Sequence, residues 1–278
     1  MVYKTILVHC NDRQRLPRLL DPAVRLSAVF GAHLIGVSVS PPIIAIPAGM
    51  PGTPDTIVID ERAKAYRAEN PAMQAAFQQA AAAQNITAEW REEDAGSGTV
   101  TRIVTRHACC ADLVIASQAA SDSNVASLDV PDRLAMESGR PVLIIPDGES
   151  FQPIVDRVVV AWTARREATR AMFDALPLLK RADKVTVLEV DPEPVQEAME
   201  YRTAARATLA RHGVVCEAET AVSSHGNAGD ALMAYCERTK ANLLVMGCYG
   251  HSRLREFVLG GASRRLLAGM TLPVLMSH

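Results

Sequence analysis

Apolar residues along this chain fall into two alternating patterns. Short runs rich in valine, isoleucine and leucine (Ile6–Cys10, Gly31–Val37, Ala111–Ser117, Pro141–Ile144) are separated by longer stretches rich in alanine, leucine and arginine. Runs that are apolar throughout suit strands buried on both faces, and the stretches between them supply the helices that cover those faces. Over roughly 13–30, Leu16, Leu19, Leu20, Val24, Leu26 and Phe30 form one apolar stripe at helical spacing. A second helix is predicted over about 60–84, where Ala81, Ala82 and Ala83 suit close packing.

The pattern then begins again. Val158–Trp162 reopens it as Ile6–Cys10 began it, and Arg181–Leu188 follows as Gly31–Val37 did. Ala241–Gly247 repeats Ala111–Ser117, and Pro273–Met276 repeats Pro141–Ile144, in the same order. Helices are expected over 167–179, 193–212 and 230–240. An ordered internal repeat of β-α-β units predicts an α/β protein of two tandem, doubly wound parallel-sheet domains. The first is expected over 1–147 and the second over 155–278, joined by a polar linker containing Gly148, Ser150 and Pro153. The first repeat is longer because of an insertion over 41–70. Its Ile43–Pro54 part is apolar but broken by proline, which suits a packed surface loop, a lid or a partner-binding loop better than a helix or a central strand.

Composition narrows the function. A chain of 278 residues has room for two ordinary cores, and 49% hydrophobic with 22% charged residues is a globular balance. A formal charge of −2 supplies no positive field for nucleic acid. No run approaches the roughly 18–20 apolar residues of a membrane span, and the start lacks a signal-peptide core, so a cytoplasmic location is expected with no membrane partner. The cysteines, Cys10, Cys109, Cys110, Cys216, Cys236 and Cys248, show no zinc-ligand spacing and read as small apolar residues. No metal site is expected.

One stretch carries chemistry. After the strand 242–246 come Gly247-Cys248-Tyr249-Gly250, then nine residues, then Gly260-Gly261-Ala262-Ser263 at the start of an apolar-periodic run. In a parallel sheet, ligands bind at the carboxyl ends of the strands, where strand order reverses. Glycines there admit a phosphate to the main chain, and a helix start offers free N–H groups to an anion. Turn formation alone would also explain glycines at these places. Ser263 either donates to a phosphate or caps the helix. Arg264 and Arg265, in a first helical turn, fit a neighbouring anion or solvent equally. Tyr249 either covers a ligand or fills the loop. No P-loop, nucleophile elbow or zinc-protease motif is present, so no catalytic residue is nominated. Gly96-Ser97-Gly98 lacks the third glycine of a dinucleotide fingerprint and reads as a loop. Asn227 or Asp230 reads as a helix cap.

The repeat and the G-x2-G-x9-G pattern of Gly247, Gly250 and Gly260 resemble the universal stress protein family in its tandem form. The resemblance implies five-stranded parallel sheets of the adenine nucleotide alpha hydrolase type, paired as a pseudo-dimer within the chain. It also implies ATP binding, with or without Mg2+, in many members, and homodimerisation in some. Carried over, it places the adenosine near Ala161, Thr163 and Val190 and the ribose near Met246 and Gly247. Tyr249, Gly250, Gly260, Gly261, Ala262 and Ser263 fall at the phosphates. The family's hydroxyl residue after the third glycine is Gly261 here, and its strand-end aspartate is replaced within Trp162-Thr163-Ala164-Arg165. The first domain departs further. Ser117-Gln118-Ala119-Ala120-Ser121-Asp122 leads into a glycine-free segment with Asp129 and Asp132, while Asn11-Asp12 keeps half a site, so this domain reads as a degenerate copy. The readings that remain are a nucleotide-binding regulator, a nucleotide-free scaffold holding an unknown protein partner, and a slow ATPase.

Overall fold

Valine, leucine and isoleucine in short unbroken runs make the inner strands, and the computed structural model pairs them in parallel. It describes residues 2–42, 56–96, 98–119, 131–148, 155–192, 196–223, 227–248 and 266–278. Two compact units result, Tyr3–Ser138 and one built mainly from Gly139–His278.

In the first unit β1 (Thr5–His9), β2 (His33–Ser40), β3 (Ala88–Asp94) and β4 (Leu113–Ser117) form a parallel sheet in the order β3-β2-β1-β4. Helices α1 (Leu16–Phe30), α2 (Thr56–Ala83), α3 (Val100–Ala108) and α4 (Pro131–Glu137) belong to this unit. Every residue of the predicted α1 stripe is buried, and Tyr3 meets Phe30 edge to face at 5.1 Å between centroids. Gly31 ends α1 in the left-handed conformation, φ 59°, where a side chain would be strained. Helix α2 begins earlier than expected and runs through Pro71. Of Ala81, Ala82 and Ala83 only Ala81 is buried, so Ala82 and Ala83 do not make the close packing anticipated for them. The prolines of 43–54 lie outside the described residues.

The second unit contains β5 (Val142–Ile145), β6 (Arg157–Ala161), β7 (Lys184–Val190), β8 (Cys216–Ala221), β9 (Leu243–Gly247) and β10 (Val274–Ser277). Their order is β5-β10-β9-β6-β7-β8, parallel except for β5 against β10. The architecture is therefore α/β with mostly parallel strands, five from each repeat, and β5 of the first repeat is counted in the second compact unit. The final strand of the first repeat pairs antiparallel with the final strand of the second, which satisfies the ladder groups that β10 would otherwise leave at an edge. The predicted helix over 167–179 is broken at Ala175 into α5 (Arg166–Asp174) and α6 (Leu176–Leu179). Then follow α7 (Gln196–Arg211) and α8 (Ala228–Thr239). Asn227 caps α8 as expected, its side chain accepting from the N–H groups of Gly229 at 3.1 Å and Asp230 at 3.4 Å.

Cys10, Cys216, Cys236 and Cys248 are buried as small apolar residues, but Cys109 and Cys110 are exposed. The reading of all six as core filler fails for this pair because they stand at the end of α3, where the chain turns toward β4. No helix among the described residues is long and apolar enough to cross a membrane.

Gly247 closes the packing of α5 on the second sheet. A β-carbon there would lie 2.4–2.7 Å from main-chain atoms of Glu167 and Ala168, which no rotamer change relieves. Gly247→Ala is expected to cost about 1–3 kcal/mol or more in chemical denaturation; a variant as stable as the parent would refute this packing.

His9 is buried with its Nε2 unpartnered, and burial, reinforced by the charge of Arg15, pushes its pKa down to about 4. The unfolded chain takes up a proton near pH 6.5 that the folded chain refuses until about 4. The stability carried by the neutral ring is therefore complete above 6.5 and is lost as pH falls toward 4. That shift corresponds to about 3 kcal/mol. His9→Leu is expected to remove most of this component from the difference in urea stability between pH 7 and pH 4; an unchanged difference would contradict it.

Candidate functional site

Parallel strands joined by crossovers bring all their carboxyl ends to one edge, and a crevice opens where successive strands are laid on opposite sides of a starting strand. In the second unit that point lies between β6 and β9. The chain leaves β6 for β7 and β8 on one side, then returns to β9 on the other. The registers Ala161 with Leu188 and Val160 with Val245 set Ala161 level with Met246, and Thr163 level with Val190. Ala161, Thr163, Val190, Met246 and Gly247 thus share one edge, as their sequence positions predicted. Thr163 is exposed, Ala161, Val190 and Gly247 are half-buried, and Met246 is buried. Tyr249, Gly250, Gly260, Gly261, Ala262 and Ser263 lie outside the described residues.

Local bonds hold this edge. The N–H of Trp162 donates to the carbonyl of Leu188 at 2.8 Å, and that of Cys248 to Ser277 at 2.9 Å. Helix α5 begins just beyond β6 with Arg165 at its N-cap and no side-chain cap, while Arg166 pairs with Glu167 at 3.2 Å. An exposed neutral hydroxyl at Thr163 and a helix start with no side-chain cap suit recognition of a polar ligand with an anionic part. The absence of a side chain at Gly247 is already explained by α5, so that glycine needs no ligand to account for it.

Sequence reasoning missed Asp191, which follows Val190 with φ 49°. Its carboxylate accepts from the hydroxyl and, at 2.7 Å, the N–H of Ser223, and these bonds, the hydroxyl first, hold its pKa below the usual carboxylate range. The Asp-Pro pair at the end of the strand pattern was the available signal.

The corresponding crevice of the first unit lies between β1 and β4. Here the protein's own side chains occupy it. The Ser117 hydroxyl donates to Asn11 Oδ1 at 3.3 Å, and the Arg15 guanidinium donates to the carbonyl of Gln118. The Tyr66 hydroxyl donates to the carbonyl of Cys10 at 3.0 Å and stands 3.0 Å from Ser38 Oγ. All of these side chains are buried. Asp12, the other half of the expected vestige, accepts from the N–H groups of Gln14 at 2.7 Å and Arg15 at 3.1 Å. Arg15, Tyr66 and Gln118 were not anticipated.

Comparison with known proteins follows the same lines. Residues 155–278 match the model of the universal stress protein family. A curated universal stress protein of Synechocystis sp. is 34% identical over 148 residues, covering 52% of this chain and 49% of that protein. The chain thus spans about half the length of the curated relative it matches. Among solved structures, a universal stress protein from Archaeoglobus fulgidus aligns at TM-score 0.73 and 16% identity, over 98% of this chain and 95% of its own. A protein of unknown function from Pseudomonas aeruginosa PAO1 aligns at TM-score 0.58 and 16% identity, over 99% and 92%. At those identities the likeness establishes fold. Residues 155–278 thus match the universal stress protein family, and nearly the whole chain shares the fold of the solved structures it resembles.

Proposed function

We propose that this chain is a stress-response regulator that binds one adenine nucleotide, ATP with Mg2+, in its second unit and passes the bound state to a protein partner in the cytoplasm. The adenosine would lie against Ala161, Thr163 and Val190, with the ribose beside Met246 and Gly247. The phosphates would run toward Gly250 and the Gly260–Ser263 segment. One observation carries the reading: two crevices of the same topology differ in which of the described residues occupy them. That of the first unit is bridged by Asn11 with Ser117 and by Arg15 with Gln118, whereas the second keeps Thr163 exposed and Gly247 only half-buried. Selectivity for a single site per chain follows from that difference. Asp191 is engaged by Ser223 and Glu167 by Arg166, which favours binding over catalysis as the role of this edge.

Mg-ATP at about a hundred times its dissociation constant is expected to stabilise the protein by roughly 2.7 kcal/mol. Gly250→Val is expected to abolish that gain while leaving unliganded stability unchanged, and calorimetry should count one nucleotide per chain. A full gain in the variant, two equal sites, or no gain in the parent would each refute the reading.

A further inference from the structure

Strand β8 ends the sheet of the second unit, with β7 as its strand neighbour. The N–H of Asp191 donates to the carbonyl of Ala221 at 2.9 Å, so the main-chain groups of Ala221 point toward β7. These directions alternate along a strand, which turns Glu219 and Glu217 the same way and leaves the N–H and C=O groups of Ala218 and Thr220 facing outward. The alternation continues past the strand. Ser223 sends its N–H back to Asp191 Oδ1 at 2.7 Å, and Val222 therefore faces outward as well. Among the described residues no group bonds to this outward row. Ala218 and Thr220 are exposed, and Val222 keeps 85% of its surface open.

Proteins blunt open edges with charge, proline or a covering element. The first unit does so at β3, where Glu89, Arg91, Glu92, Glu93 and Asp94 are five of seven residues. Strand β8 is less protected. It carries Glu217 and Glu219 alone among six residues, and no lysine, arginine or proline occurs over 214–224. Both acids are engaged within the unit. Glu217 pairs with Lys184 at 2.7 Å, and Glu219 accepts from the Tyr235 hydroxyl.

Two-fold symmetry restricts how such an edge meets its own copy. Opposed residues of an antiparallel pair lie on one face of the sheet, so every symmetric register centres on a single residue. Charge then selects among the centres. At Glu217 or Glu219 a glutamate opposes itself, and at Ala218 the two glutamates oppose each other, all unfavourable pairs. Centred on Thr220, Glu219 opposes Ala221 and Glu217 opposes Ser223. Threonine then meets threonine, the exposed Val222 covers Ala218, and the outward rows of residues 218, 220 and 222 bond to one another. A centre at Ala221 carries the pairing beyond the end of β8.

We propose that β8 pairs antiparallel with β8 of a second copy, in the register centred on Thr220, and that this homodimer forms independently of nucleotide.

Sedimentation of the full chain without nucleotide should show a concentration-dependent dimer. Amide exchange at Ala218, Thr220 and Val222 should slow as the dimer forms. Thr220→Pro removes only an outward N–H, where an edge strand tolerates proline, and Ala218→Lys sets a charge against Val222. Each should weaken the dimer by roughly 10–100-fold while the melting of the diluted monomer stays unchanged. A chain that remains monomeric, a dimer that both variants leave intact, or slowed exchange at β3 instead of β8 would overturn the assignment.

Discussion

The rule that parallel strands must be joined by crossovers governs this protein. Each crossover returns the chain to the same end of the sheet, so every strand of β6, β7, β8, β9 and β10 delivers its last residues to one edge. Where the chain reverses its direction of strand addition, beside β6, the covering helices separate and leave a crevice. Close seating of α5 against β9 then fixes the crevice wall, and it is possible only because position 247 has no side chain. A residue that seems chosen for a ligand is thus first of all a packing residue.

The first unit obeys the same rule with a different outcome. Its crevice beside β1 holds buried polar pairs, Ser117 with Asn11 and Arg15 with the carbonyl of Gln118, and Tyr66 donates to the carbonyl of Cys10. Each buried polar group that finds a partner within the chain avoids a desolvation penalty. Topology sets where a ligand would go, and a few side chains decide whether there is room.

Inner strands were legible from the sequence because they are buried on both faces: Ile6 to Val8, Leu113 to Ala116 and Leu243 to Met246 are apolar without interruption. Edge strands were not. Trp90 to Asp94 and Cys216 to Ala221 alternate or carry charge, since one side of each faces solvent, and nothing in their pattern separates them from a loop. The antiparallel seating of Val142–Ile145 on Val274–Ser277 was also out of reach, because pairing direction is a tertiary property. At the crevice the strand-end positions were readable from the repeat. The polar pairs around Arg15 were not, because their members come from distant points of the chain. Exposure of Cys109 and Cys110 was hidden by the apolar residues around them, although a short helix ending there turns them outward.

Photolabelling with azido-ATP followed by peptide mapping tests the central claim most directly, since it reports place as well as binding. The account predicts attachment within the strand ends around Ala161–Thr163, Val190 or Met246–Gly247, suppressed by excess ATP. Attachment to the first unit around His9–Asp12 or Ala116–Gln118, or labelling that ATP does not suppress, would contradict it.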